Sequence, residues 1–322
     1  MNRAPQLGDR VIVRRHVPGS AGHLSDIIGH VLDLDPLTVR PQAVGGLPSD
    51  KDAVVIPAEQ VQVCKVLPPR RVRNSDIRAV EQATAAAFPG TEHIWHNGWL
   101  LRAGDGITER SNSAAPLGSS AGLSQVPLEA IREFYRRQNM PTRILLPDRI
   151  ARSAEVVCAK WKRGPDILVM TRPLDTIDVR ELPEGYEFRV DDQPDEAWLN
   201  MYHFRGKPLP VHALNLLRTS IEGHMGFGRL TCGDSTVAIT RGTVTYSEDG
   251  RAWLGYSAVE VAPAYRRRGL GTALGHSMLH WGRSLGASAA YLQVISSNTP
   301  GIELYKTLGF IEHHRHRYAE EG

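Results

Sequence analysis

A strand-to-helix turn near the C-terminus carries the residues with the clearest chemistry. From Val259 to Thr272 the sequence reads Val-Glu-Val-Ala-Pro-Ala-Tyr-Arg-Arg-Arg-Gly-Leu-Gly-Thr. Gly269 and Gly271 let backbone N–H groups approach an anion closely, and the N-terminus of the following helix adds partial positive charge. Three arginines, Arg266 to Arg268, lie beside the first glycine. This combination predicts a site for a pyrophosphate group.

Three kinds of phosphate-binding loop compete for this segment. A Walker loop needs a Gly-Lys-Ser/Thr sequence, and the segment has no lysine. A dinucleotide loop is conceivable from the spacing of Gly269, Gly271 and Gly275, but too few residues follow for the rest of a doubly wound sheet. The third candidate is coenzyme A, and a second segment favours it.

That second segment runs from Ser297 to Phe310 and reads Ser-Asn-Thr-Pro-Gly-Ile-Glu-Leu-Tyr-Lys-Thr-Leu-Gly-Phe. Together the two segments resemble the GNAT superfamily of acetyl-CoA-dependent N-acetyltransferases. The arginine–glycine turn matches its Q/R-x-x-G-x-G/A motif. Asn298 and Tyr305 match its N-x-x-A-x-x-L-Y-x-x-x-G-F pattern, with Gly301 in place of the usual alanine. The resemblance covers about 186–318.

The resemblance implies a role for each matched residue. Tyr305 would be the catalytic acid that protonates the departing thiolate, and a neutral amine would attack the thioester directly, with no metal required. Backbone groups of the strand would bind the pantetheine arm, amides of the turn would hold the pyrophosphate, and an asparagine would bond the cofactor arm. The predicted cofactor-binding residues are Val259, Glu260, Val261, Arg266, Arg267, Arg268, Gly269, Leu270, Gly271, Thr272 and Asn298.

The general base is not identified by sequence. Several members of the superfamily that acetylate N-terminal peptides carry a glutamate on the strand before the asparagine helix. Here Gln293 occupies that strand, and an amide cannot accept the proton. Glu260, Glu222, His224 or a chain of water molecules remain open as the base.

The elements around these motifs follow the GNAT order. From Tyr186 onward, periodicity predicts β-α-α-β-β-β-α-β-α-β, including helices at 195–204, 211–220 and 269–285. Residues 74–172 show a degraded version of this order, whose glycine turn at 117–122 lacks arginine. This middle region is expected to close the acceptor cleft. A sharper hypothesis is that Arg102, Arg110 and Asn112 bind an acidic group of the substrate.

Five short strands between residues 7 and 67 predict a small β-barrel of the Src-homology-3-like kind, followed by a proline- and arginine-rich linker. The layout resembles an actinobacterial GNAT group whose members are described as N-acetylglutamate synthases or histone-type acetyltransferases. We therefore predict an α+β fold class and three regions: the barrel at 1–68, a degenerate GNAT-like region at 74–180 and the GNAT domain at 183–322.

Composition narrows the functional classes. The chain has 322 residues, and its formal charge is only +3, so no general affinity for nucleic acid or membrane is expected. Three separated cysteines and the lack of a hydrophobic leader or a long apolar run predict a cytoplasmic protein. His314 and His316 share a face of a predicted strand, but no cysteine or aspartate partner is nearby, so no metal is expected.

Two functions remain. The first is an N-acetyltransferase that moves the acetyl group of acetyl-CoA to a primary amine, either of a small glutamate-like amino acid or of a protein lysine or N-terminus. The alternative is an acetyl-CoA-sensing or protein-binding module with little turnover, which Gln293 keeps open. Dimers are common in the superfamily, so a homodimer is a further expectation.

Overall fold

A computed structural model describes most of the chain in two compact units, Met1–Val72 and Arg73–Gly322. The described residues are 4–17, 23–42, 46, 49, 51–67, 72–104, 106–122, 124–175, 177, 180–204, 207–208 and 221–322. The helix predicted at 211–220 lies outside them. None of the described helices is long and apolar enough to cross a membrane.

The first unit is a five-stranded antiparallel sheet. Its strands are β1 (Arg10–His16), β2 (Leu24–Leu34), β3 (Leu37–Pro41), β4 (Val54–Ile56) and β5 (Val61–Val66), in the order β4-β3-β2-β1-β5. Val11 and Val13, two positions apart on β1, are fully buried together with Val39 and Ile56. The period-two pattern therefore supplies the core, as expected for a sheet with one buried face.

The second unit begins with a helix and a series of short strands. In chain order these are α1 (Asn74–Ala87), β6 (Glu92–His96), β7 (Trp99–Ala103), β8 (Ala114–Ala115), α2 (Leu128–Arg137), β9 (Arg143–Pro147), α3 (Arg152–Val157), β10 (Lys162–Arg163) and β11 (Ile167–Pro173).

Longer strands and two longer helices follow. They are β12 (Tyr186–Asp191), α4 (Glu196–Met201), β13 (His203–Phe204), β14 (Lys207–Pro208), β15 (His224–Cys232), β16 (Ser235–Tyr246), β17 (Ala252–Val261), α5 (Leu270–Ser284), β18 (Ala289–Ile295), α6 (Thr299–Thr307) and β19 (Ile311–Glu320).

One continuous sheet joins the two halves of this unit, in the order β12-β15-β16-β17-β18-β11-β19-β9-β8-β7-β6. Strand β11 comes from the first half but lies between β18 and β19 and pairs antiparallel with both. Strand β19 in turn pairs with β9 of the first half. Because the halves exchange strands, one sheet contains strands from both sides of residue 180. The division into 74–180 and 183–322 stays a prediction.

Helices cover both faces of this sheet where it carries the motifs. On one face, α5 packs Leu274 and Met278 against β15, β16 and β17. On the other face, α1 packs Val80 and Ala83 against Trp253 and Tyr291. Thr245 of β16 also donates a hydrogen bond from Oγ1 to the carbonyl oxygen of Ala83 at 2.8 Å. Helix α1 of the first half therefore covers one face of strands β16, β17 and β18 of the second half.

Close approach of α5 to β17 requires glycine at position 282. A Cβ atom there would lie 2.9 Å from Cβ of Leu254, which is fully buried. We expect Gly282→Ala to lower the free energy of unfolding by about 1–3 kcal/mol through overpacking, despite the helix preference of alanine. Denaturant unfolding measures this. Gly164→Ala is the control, because its nearest neighbour would be 3.6 Å away; equal stability of the two variants would contradict the packing argument.

Candidate functional site

Strands β17 and β18 part in the middle of the sheet. Their parallel pairing runs from Trp253 with Ala289 to Tyr256 with Leu292 and then stops, although β17 continues to Val261. A β-bulge lies at this point. The pairing of β16 with β17 shifts register there, and Ala258 adopts a left-handed φ of 57°. From residue 257 to residue 261, across the bulge, β17 presents a strand edge that β18 does not pair.

The predicted pyrophosphate turn begins where this edge ends. Gly269 is the N-cap of α5 and has a left-handed φ of 77°, and Arg267 also has positive φ. The first N–H groups of α5 have no acceptor within the helix and point along its axis. Strand, turn and helix N-terminus thus occur in the predicted order, and they form an anion-binding geometry.

Two of the three arginines brace this turn. Nε of Arg266 donates to the carbonyl oxygen of Val261 at 3.0 Å, and Nη2 of Arg268 donates to that of Ala264 at 3.0 Å. The Arg268 guanidinium also lies 5.1 Å from the centroid of the Tyr265 ring. These hydrogen bonds to the backbone keep both guanidinium groups, and their positive charge, beside the turn.

Tyr305 lies on the α5 side of the parting strands. Its half-buried ring makes edge contacts with Tyr256 at 6.1 Å and Phe310 at 6.3 Å between centroids. Burial, and then the negative charge of Glu260, raise the pKa of Tyr305 to about 12. The phenol therefore keeps its proton at neutral pH, as a proton donor must.

Asn298 is the N-cap of α6. Its Oδ1 accepts a hydrogen bond from the backbone N–H of Gly301 at 3.1 Å. This oxygen therefore caps the helix, and the Nδ2 amino group of the side chain remains for a ligand. A Cβ atom at position 301 would lie 2.7 Å from Nδ2 of Asn298. Glycine, where the superfamily pattern has alanine, therefore gives this amide group room.

Glu260 lies on the opposite face of the sheet from Tyr305. It pairs with Ile239, which packs in the cluster of Trp198, Tyr202 and Phe227. Burial raises the pKa of Glu260 above its ordinary value, although Arg266 lies 4.0 Å away and opposes the shift. A carboxylate whose pKa is closer to neutral is a better general base.

The other base candidates are less well placed. Glu222 and His224 are exposed to solvent. Gln293 donates from Nε2 to Oγ1 of Thr84 on α1 at 3.4 Å, so it links β18 to the first half of the unit. Glu260 is therefore the carboxylate that the fold brings to the parting strands.

Arg102 and Asn112, which the sequence suggested as binders of an acidic substrate group, are buried and form hydrogen bonds within the fold. Arg102 is 2% exposed and donates to the carbonyl oxygen of Phe88 and to Oγ of Ser113. Oδ1 of Asn112 accepts from two backbone N–H groups, and its Nδ2 donates to the carbonyl oxygen of Thr108. Nε of Arg102, however, has no hydrogen-bond partner among the described residues. The hypothesis of an acidic-group site at Arg102, Arg110 and Asn112 stays a prediction.

The histidines of β19 have an acidic partner that sequence did not reveal. Oε1 of Glu81 on α1 lies 2.8 Å from Nε2 of His314 and 2.6 Å from Nδ1 of His316, and all three residues are buried. Burial opposes ionisation, but the imidazoles, His316 first, hold the pKa of Glu81 well below its usual range. The separations are those of hydrogen bonds. The expectation that no metal binds stays a prediction.

The fold is shared with solved acetyltransferase structures. A GCN5-related N-acetyltransferase from Kribbella flavida superimposes with a TM-score of 0.58 at 13% identity, covering 76% of this chain and 95% of the other. A tandem GNAT protein from the clavulanic acid biosynthesis pathway gives a TM-score of 0.52 at 15% identity, covering 76% and 88%. These likenesses show the GNAT fold, which confirms the predicted α+β fold class.

Sequence comparison identifies the family to which the chain belongs. Residues 74–319 match the family described as "Probable histone acetyltransferase Rv0428c C-terminal", and residues 5–65 match "Rv0428c N-terminal Sm-like domain". The probable histone acetyltransferase Rv0428c of Mycobacterium tuberculosis (strain ATCC 25618 / H37Rv) is 35% identical over 316 residues, covering 98% of this chain and 95% of that protein. The uncharacterized N-acetyltransferase YobR of Bacillus subtilis (strain 168) is 24% identical, covering 76% and 98%. The chain belongs to the Rv0428c-like family.

The buried Glu81 carboxylate predicts an acid-sensitive fold. Because its folded pKa lies below its unfolded value of about 4.3, the stabilisation is present above that pH and is lost as pH falls below it. In Glu81→Gln this contribution is absent, so the free energy of unfolding should be lower at pH 7 and should fall less steeply between pH 5 and 3. Denaturant titrations across this range, with exposed Glu303→Gln as control, measure the difference; parallel pH profiles for Glu81→Gln and wild type would refute it.

Proposed function

We propose that the protein transfers the acetyl group of acetyl-CoA to a primary amine, which attacks the thioester directly. The observation that carries this proposal is the parting of β17 from β18 at the bulge, with the glycine turn of α5 at the end of the free strand edge. An unpaired strand edge offers peptide groups to an amide-bearing arm, and the helix N-terminus offers N–H groups to phosphates. The residues present therefore fit coenzyme A.

Each predicted residue has a role in this proposal. Backbone groups of Val259 to Val261 bind the pantetheine arm, the turn from Arg266 to Thr272 holds the pyrophosphate, and the amide of Asn298 bonds the arm. Bound acetyl-CoA supplies an acyl group activated by a thiolate leaving group of pKa about 8.5. Tyr305 holds a proton at its hydroxyl for that thiolate. Glu260, on the opposite face, receives the proton of the amine.

The acceptor amine belongs either to a small amino acid or to a protein. A protein lysine is supported by the relative described as a probable histone acetyltransferase. An N-terminal amine is supported by a shorter match, 46% identity over 66 residues, to an N-alpha-acetyltransferase of Sulfurisphaera tokodaii (strain DSM 16993 / JCM 10545 / NBRC 100140 / 7); it covers 20% of this chain and 40% of that protein. A cytoplasmic location, from the separated free cysteines, and a homodimer remain part of the proposal.

A sensing module with little turnover is the second candidate. It is favoured by Gln293, which is tied to Thr84 where some superfamily members carry a glutamate. Such a module would bind acetyl-CoA through the same strand edge and turn. It would not need a base.

A thiol-release assay with acetyl-CoA tests the proposed function. The acceptor panel contains free amino acids, polyamines and lysine peptides. We expect release of coenzyme A with one acceptor class and slow background hydrolysis with the others. Tight coenzyme A binding by calorimetry, together with no release from any acceptor, would instead support the sensing module.

Removal of the Tyr305 hydroxyl tests the proton donor. We expect Tyr305→Phe to lower kcat by roughly 100-fold or more, because general acid catalysis contributes on that order, while the Kd for coenzyme A changes less than twofold. With a pKa of about 12 for Tyr305, wild-type activity should not decline between pH 8 and 10 through loss of this proton. Tyr246→Phe, at an exposed position, is the control. Full turnover in Tyr305→Phe would exclude the tyrosine as the acid.

A further inference from the structure

Two arginines flank one aromatic ring on the face of the sheet that carries Glu260. The guanidinium carbon of Arg110 lies 4.3 Å from the centroid of the Phe88 ring, and that of Arg241 lies 4.7 Å from the same centroid. Phe88 is the residue at which α1 ends. Arg110 comes from the first half of the unit and Arg241 from β16, so the cluster is assembled only when the halves pack together. We refer to Arg110 and Arg241 as the arginine pair.

Arg241 is a buried cation that the described residues do not neutralise. It is 3% exposed. One nitrogen, Nη2, donates to the carbonyl oxygen of Ala87 at 3.1 Å and contacts the sulfur of Met225 at 3.2 Å. Its Nε and Nη1 atoms have no hydrogen-bond partner among the described residues. Burial, and then the charge of Arg110, lower the pKa of Arg241 to about 10. A buried charge without a counter-charge is costly, so this position is suited to an anion.

The arginine pair lies beside the parting strands. Arg241 pairs with Ser257, directly before the bulge, and Ile239 pairs with Glu260, directly after it. Arg241 and Ile239 are two positions apart on β16, so they share one face and are separated by about 7 Å along the strand. Ile107, close to Arg110 in sequence, packs in the same cluster as Ala258 at the bulge. The carboxylate of Glu260 and the arginine pair thus lie on the same side of the strand edge.

We propose that the arginine pair binds the carboxylate of an α-amino acid acceptor and directs its amine toward Glu260. This inference rests on the proposed acetyl transfer and specifies its acceptor. A free amino acid carries an ammonium group and a carboxylate a few ångströms apart. Here the β16 residue that pairs with Glu260 lies two positions from Arg241, and Arg110 contacts the same Phe88 ring as Arg241. Arginine is suited to this role, since its fork of N–H groups matches the two oxygens of a carboxylate.

A structural role for Arg241 is the competing explanation. Its bond to Ala87 caps the C-terminal carbonyl groups of α1, where a cation is favourable. Arg102 provides the matched control. It is equally buried, and its Nε also has no hydrogen-bond partner among the described residues. It donates to the carbonyl oxygen of Phe88 at the same helix end and to Oγ of Ser113, so both of its Nη atoms are used, whereas Nη1 of Arg241 is not. An effect shared by Arg102 and Arg241 variants is therefore structural.

Paired acceptors separate the two explanations. Thiol release is measured with L-glutamate, L-alanine and L-lysine and with their α-amides, which keep the amine and lose the carboxylate. We expect wild type to have the lower KM for the free acids. Arg241→Met and Arg110→Met should raise KM for the free acids roughly 10- to 100-fold, as for loss of a charged hydrogen bond, and leave KM for the amides within about twofold. Arg102→Met should leave the ratio of the two KM values unchanged.

Several outcomes would overturn the assignment. Equal KM values for acids and amides in wild type would do so, as would an equal loss for both acceptor types in Arg241→Met and Arg110→Met. Calorimetry of the same free amino acids with coenzyme A-saturated protein provides a readout without turnover. Binding to wild type and to Arg102→Met, but not to Arg110→Met, supports the arginine pair even if no thiol is released and the transferase function fails. If the free amino acids do not bind to wild type, the arginine pair is refuted as their site, even if lysine peptides are acetylated.

Discussion

The parting of β17 from β18 is the constraint on which the rest of the site depends. A parallel strand pair normally continues until one strand ends, because each unpaired peptide group in a protein interior is costly. Here the bulge at Ala258 turns the second half of β17 away, while β18 continues beside β11 and pairs Ile295 with Ile167. The free edge of β17 is thus maintained by a strand from the other half of the unit.

The exchange of strands explains why the first half is needed for a site formed by the second. Strand β11 holds β18 in place, and α1 covers the face of β16 and β17 that bears Glu260. Glu81 fixes α1 to β19 through two buried imidazoles. A buried carboxylate whose partners are removed costs several kcal/mol, so this contact keeps α1 in one position. The end of α1 then places Phe88 in contact with both arginines.

Local sequence predicted the parts of the site that are local. The turn at Gly269 needs left-handed φ and a helix start, and both are encoded within a few residues. The spacing of Asn298 and Tyr305 is likewise confined to one helix. Contacts between distant segments were not predictable in this way: Glu81 and His316 are separated by 235 positions, and Arg241 and Ala87 by 154. The available signal was that Arg241 is the one charged residue of strand β16, since a charged residue rarely occupies an inward position without a partner.

The two faces of the parted strands differ in charge, and this difference assigns the proposed proton donor and the proposed proton acceptor to opposite faces. On the α5 side, Tyr305 is surrounded by Tyr256 and Phe310 and retains its proton because burial disfavours the phenolate. On the α1 side, Glu260 and the arginines provide charges of both signs close to the same edge. In the proposed reaction, the proton is therefore held on the side from which the thiolate would leave, and the carboxylate lies on the side from which the amine would approach. The two groups still interact, because the negative charge of Glu260 helps to raise the pKa of Tyr305 and so keeps the phenol protonated before substrate arrives.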